Sequence, residues 1–87
     1  MSQSTQDFRQ ALEDNHTWPC QYMFKFIVPL AQKQLVLDLF ESQEAITTRE
    51  SRNGRYVSIT VKCRVHSSEE VIAVYEAASH IEGIISL

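Results

Sequence analysis

The chain has 87 residues, with 8 Lys+Arg against 11 Asp+Glu and a formal net charge of −3. A typical domain of ~150 residues leaves room for one domain and no second. Hydrophobic residues make 44% and charged residues 22%, and Gly and Pro number two each, which excludes collagen-like, disordered and low-complexity classes.

No apolar run approaches the ~18 residues of a membrane span. The longest candidate, Met23 to Ala31, is interrupted by Lys25 and carries Pro29. The first apolar cluster, Phe8 with Ala11 and Leu12, is broken by Arg9, Glu13 and Asp14, so no secretory leader is expected. Cys20 and Cys63 lie far apart and form no CxxC, which predicts two free thiols and a cytoplasmic location.

In chain order, Ser4 or Thr5 caps a short helix that ends near Asp14, with Phe8 and Leu12 on one face. A helix this short is marginal alone in water, so its apolar stripe needs a surface, and Met23 and Ile27 are receivers for it. Asn15 to Pro19 is a break, because Pro19 disfavours helix at Trp18. Gln21 to Val28 alternates: Tyr22, Phe24, Phe26 and Val28 point one way, and Met23, Lys25 and Ile27 the other. That period predicts a strand. Leu30 to Glu41 is read as an amphipathic helix whose stripe is Ala31, Leu35 and Leu39, with Val36 and Phe40 beside it.

Asn53-Gly54 between two alternating runs, Ala45 to Arg52 and Arg55 to Val65, signals a hairpin with a two-residue type I′ turn. Its register sets Glu50 opposite Val57, Thr48 opposite Ile59 and Ile46 opposite Val61. Val57, Ile59, Val61, Cys63 and Val65 form the apolar face, and Val57, Ile59, Val61 and Cys63 are expected to be buried under Leu35, Leu39, Val74 and Ala78. Tyr56, Ser58, Thr60, Lys62 and Arg64 form the wet face. Ser67 with Glu70 is a capping box that opens a second long helix. Gly83 stops that helix or opens a last strand over Ile84 to Leu87.

The order after the first helix is β-α-β-β-α-β. It specifies an α+β, ferredoxin-like two-layer sandwich with an antiparallel sheet in the order 4-1-3-2 and an extra N-terminal helix. Residues 1–19 are assigned to that helix and its linker, and residues 20–87 to the ferredoxin-like domain.

Phe24-Lys25-Phe26-Ile27-Val28-Pro29 before a helix, together with Gly54-Arg55-Tyr56-Val57-Ser58-Ile59-Thr60-Val61, resembles the small YbeD-like bacterial proteins, a family of unknown function. The likeness covers about Trp18 to Leu87. It implies a fold similar to ACT domains, which regulate enzymes by binding small molecules. It carries over no catalytic residue. Amino-acid-binding ACT domains commonly place a glycine in the turn after the first strand. Here that turn is Val28-Pro29-Leu30-Ala31, which argues against a ligand there.

The residues supply little for catalysis, and no enzyme activity or cofactor is expected. His16, Cys20, Cys63 and His66 have zinc-type chemistry and lie at neighbouring strand ends, so a metal site or an enzyme built on that cluster is the alternative reading. The bland account makes Cys63 a small core residue and both histidines loop residues. Between Arg49 and Arg64 there are five basic residues and one acid, Glu50. Lys25, Arg49, Tyr56, Lys62 and Arg64 are the candidate partner- or anion-binding residues. RNA-binding modules of this topology stack bases on central-strand aromatics, but Ser58 and Thr60 stand at those places and the net charge is acidic. The reading is a small regulatory or interaction domain that binds a protein partner or a small-molecule effector on its sheet side. A homodimer contact fits that side as well; DNA and membrane do not.

Overall fold

The computed structural model describes residues 2–41 and 45–87. The elements run α1 (Ser2–Asn15), β1 (Cys20–Pro29), α2 (Lys33–Leu37), β2 (Ile46–Glu50), β3 (Tyr56–Val65), α3 (Ser68–Ala78) and β4 (Ile85–Ser86), with a 3₁₀ turn over Leu30–Gln32 before α2. The four strands form one antiparallel sheet in the order β2-β3-β1-β4, which is 4-1-3-2 read from the other edge. Among the described residues no helix is long and apolar enough to cross a membrane.

The centre of the sheet is a ladder of β1 on β3. It sets Phe24 against Val61, Phe26 against Ile59 and Val28 against Val57. All six side chains are buried. Val36 of α2, Val71, Ile72 and Ala78 of α3, and Leu12 of α1 join them in one core, so the three helices share that face of the sheet. Burying a side chain of this size contributes about 1.5–3 kcal/mol. Tyr75 of α3 lies over β1, with ring centroids 5.4 Å from Phe24 and 5.9 Å from Phe26.

The hairpin register is as expected, with Ile46, Thr48 and Glu50 opposite Val61, Ile59 and Val57. The turn itself is not type I′, because Asn53 does not take a positive φ and Gly54, at φ 72, does. The loop closes instead through Gly54 N–H to Ser51 O at 2.9 Å and Ser51 N–H to Tyr56 O at 2.8 Å. Asn53 Oδ1 accepts from Arg55 N–H at 3.0 Å, so the asparagine serves by its side chain. Both turns keep the same pairs in register. At the start of α3, Ser67 Oγ accepts from Glu70 N–H at 3.3 Å, which is half of the expected capping box.

Several expectations give way. The helix read over Leu30 to Glu41 shrinks to α2, and Leu35 is 49% exposed while Val36 is fully buried. The 3₁₀ turn ahead of α2 advances the chain faster per residue than an α-helix and rotates the stripe. Leu39 and Phe40 are reached by i→i+3 bonds that end the helix. Cys63, Leu39 and Val74 are half-buried instead of buried. Thr48 and Glu50 point to the core side of β2 yet stay exposed, because so short a helix does not roof that edge strand. Ser4 and Thr5 lie inside α1 and do not cap it. That helix does not rest on Met23 and Ile27. It packs on α3, where Phe8 meets the edge of Tyr75 at 5.7 Å.

Gly83 sits in the turn before β4 at φ 77, and a Cβ there would come 2.8 Å from Cγ of Pro29. The position therefore excludes side chains on two counts, the left-handed backbone and the proline ring. Gly83→Ala should destabilise the protein by about 2 kcal/mol or more. A Tm lowered by roughly 10 °C in thermal unfolding is the expected result.

Candidate interaction face of the sheet

Parity along the strands and the register between them lay out the outer face of the sheet. One cross-strand row reads Arg49, Ser58, Ile27, Ile85. The next reads Thr47, Thr60, Lys25, and Leu87 joins it through its N–H to Lys25 O at 2.9 Å. Then come Lys62 with Met23, and Arg64 with Gln21. Tyr56 stands beyond Ser58 on the same side, paired with Pro29.

All five sequence-derived candidates, Lys25, Arg49, Tyr56, Lys62 and Arg64, thus share one exposed face. Adjacent strands are about 4.8 Å apart and same-face residues along a strand about 7 Å, so Lys62 lies about one Debye length of 8 Å from both Arg64 and Lys25, while Arg49 stands further off at about 12 Å from Lys25. Apolar side chains stand among them: Met23 is 46% exposed, Tyr56 46% and Ile85 54%. Asp38, Glu41, Glu69, Glu70 and Glu76 are exposed on the helix layer or its flanking loop. Two further contributors, Arg52 and Ile85, were not among the candidates. Ile85 follows from parity once β4 is placed; Arg52 sits in the hairpin loop, where alternation says nothing about direction.

The four metal candidates do not come together. His16 Nδ1 lies 3.8 Å from Cys20 Sγ. His66 Nδ1 faces Glu70 Oε2 at 3.3 Å instead. Cys20 and Cys63 are on the core side of the sheet, opposite Val65 and Tyr22 respectively, while His66 lies past the end of β3 and turns to the first turn of α3. Among the described residues no three His, Cys, Asp or Glu side chains gather to hold a metal. Both thiols are free.

Two groups on the core side carry shifted pKa values. Burial raises the Tyr75 hydroxyl above its ordinary value, and its contact with Tyr22, oxygen to oxygen at 3.4 Å, adds to that. Burial and then the negative charge of Glu70 raise the Cys63 thiol.

The molecule so described is an α+β domain with three helices on one face of a four-stranded antiparallel sheet and the other face open. A family model for proteins of unknown function, DUF493, matches residues 13–87, and the chain belongs to that family. Among curated proteins and among solved structures no match is found. The matched region takes in the whole sheet and leaves most of α1 outside.

The raised Cys63 pKa favours the neutral thiol in the folded state. That contribution to stability is present below the unfolded thiol's pKa and is lost as pH rises through the folded one. Since the thiolate is the nucleophile, Cys63 should be alkylated by iodoacetamide several-fold more slowly in native protein than in urea-denatured protein at the same mildly alkaline pH. Peptide mass spectrometry of time points reads the two cysteines separately.

Proposed function

We propose that this chain is a non-catalytic regulatory or interaction domain that binds an acidic protein partner through the open face of its sheet. The proposal includes the YbeD-like relationship, a bacterial cytoplasmic setting and the ferredoxin-like, ACT-like fold that the resemblance implies. The observation that carries it is the composition of one face: Lys25, Arg49, Lys62 and Arg64 beside Met23, Ile27, Tyr56 and Ile85. Cations give orientation and association rate, and desolvated apolar groups give affinity, a mixture typical of protein interfaces. In a chain of net charge −3, clustering cations on the sheet requires the acids to lie elsewhere, and that separation gives the domain a polarity an acidic partner can read.

A solvated strand surface is the competing account, since Lys and Arg also discourage edge pairing. It explains the charges but not the exposed Met23, Tyr56 and Ile85 among them. Nucleic acid is a poorer fit, because the middle of β3 offers Ser58 and Thr60 where bases would stack.

Reversing Lys62 and Arg64 to Glu, at exposed positions, should leave the fold intact and weaken an acidic partner by roughly 10-fold or more. Affinity should also fall with added salt. Partners captured by the wild-type chain and retained by the double variant at equal affinity would reduce the basic face to a soluble strand surface.

A further inference from the structure

At the hairpin end of the open face there is a recess of about 420 Å³. Its size falls within the range of small-molecule sites, roughly 300–1,000 Å³. Its residues come from three strands and the hairpin loop. Ser58 of β3 lies between Ile27 of β1 and Arg49 of β2 in one cross-strand row, and Tyr56 and Arg52 also line the recess. Ser58 is small, and its hydroxyl is turned to Arg49 O at 3.3 Å. A larger residue there would fill the space between Arg49 and Ile27, its two neighbours in the same cross-strand row.

We infer that this recess is a binding site for a small planar organic monoanion, a flat ring carrying one carboxylate. The ring lies against Tyr56 and Ile27, where an aromatic face and a half-buried branched side chain offer flat apolar contact. The carboxylate meets Arg49 and Arg52, whose forked guanidinium groups match its two oxygens. Glu50 pairs with Val57 and so alternates to the core side of β2, which leaves the two guanidinium groups as the charged groups facing the ligand.

This site shares Arg49, Ile27 and Tyr56 with the proposed partner face but stands on its own observation, the recess. Lys62 is two rows from Arg49 and Arg64 three, and neither lines the recess.

The test titrates the full chain with 2-naphthoate, followed by amide chemical shifts. Acetate supplies the charge without the ring, and 2-naphthamide the ring without the charge. Saturable shifts centred on Ile27, Arg49 to Arg52, Tyr56 and Ser58 are expected, with a Kd of about 1 mM or tighter. Both control compounds should bind about 10-fold more weakly. Arg49→Ala and Tyr56→Ala should each weaken binding about 5-fold, and the Lys62 and Arg64 reversal should change it far less. Arg52→Ala, in the exposed loop, gives the same reading should Tyr56→Ala disturb the fold. Three results overturn the site: shifts that never saturate, equal binding of naphthamide, or shifts centred on the groove between α1 and α3 lined by Phe8, Ile72 and Tyr75. A titration that succeeds while the charge reversal leaves every protein partner bound separates this site from the partner proposal.

Discussion

Everything in this molecule is referred to the antiparallel ladder between β1 and β3. Its ten pairs, from Cys20 with Val65 to Pro29 with Tyr56, join the two central strands along their whole length. A slip of one residue would turn Phe24, Phe26 and Val28 out to water and bring Met23, Lys25 and Ile27 into the core. The cost of burying Lys25 without a partner forbids that arrangement. The core then fixes the helices. Tyr75 reaches from α3 to Phe8 on α1 and to Tyr22, Phe24 and Phe26 on β1, so one side chain ties three elements together. The outer face is the other half of the same decision. The register that seals the core also sets Met23 beside Lys62, Lys25 beside Thr60, and Ile27 between Ser58 and Ile85.

The parts of the fold that rest on local physics were legible in the residues. Alternation named both faces of β1 and β3, and Asn53-Gly54 located the hairpin closely enough to give its register. Ser67 announced the start of α3. What escaped depended on tertiary context. Leu30, Leu35, Val36, Leu37, Leu39 and Phe40 put apolar groups nearly all round α2 and its flanks, so the sequence offers no unique stripe and packing chose Val36. The amphipathic pattern of α1 says that it needs a surface but not which one; Tyr75 supplied it on the helix layer. The turn around Asn53 kept its register while changing its type, because an asparagine side chain can replace a backbone acceptor.

The candidate face was readable for a similar reason. Lys25, Arg49, Tyr56, Lys62 and Arg64 are strand residues, and alternation alone assigns a strand residue to a side of the sheet. The recess at its end was not readable. It needs Arg52 from the loop and the contrast in size between Ser58 and its neighbours Ile27 and Arg49. The imagined cluster of His16, Cys20, Cys63 and His66 failed because neighbouring strand ends bring backbones together without deciding where side chains turn. His66 had a nearer partner in Glu70, one helical turn away.

The separation of charge between the two sides of the domain leads to the claim that a partner sits on the sheet. The chain's lysines provide an internal comparison: Lys25 and Lys62 lie on the open face, and Lys33 lies on α2 in the other layer. The most direct measurement is the acetylation rate of each lysine in the intact chain, first alone and then in a native extract containing its partners. The account predicts that Lys25 and Lys62 become protected in the extract while Lys33 reacts at its original rate. Protection of Lys33 with Lys25 and Lys62 unchanged would place the partner on the helix layer and contradict it.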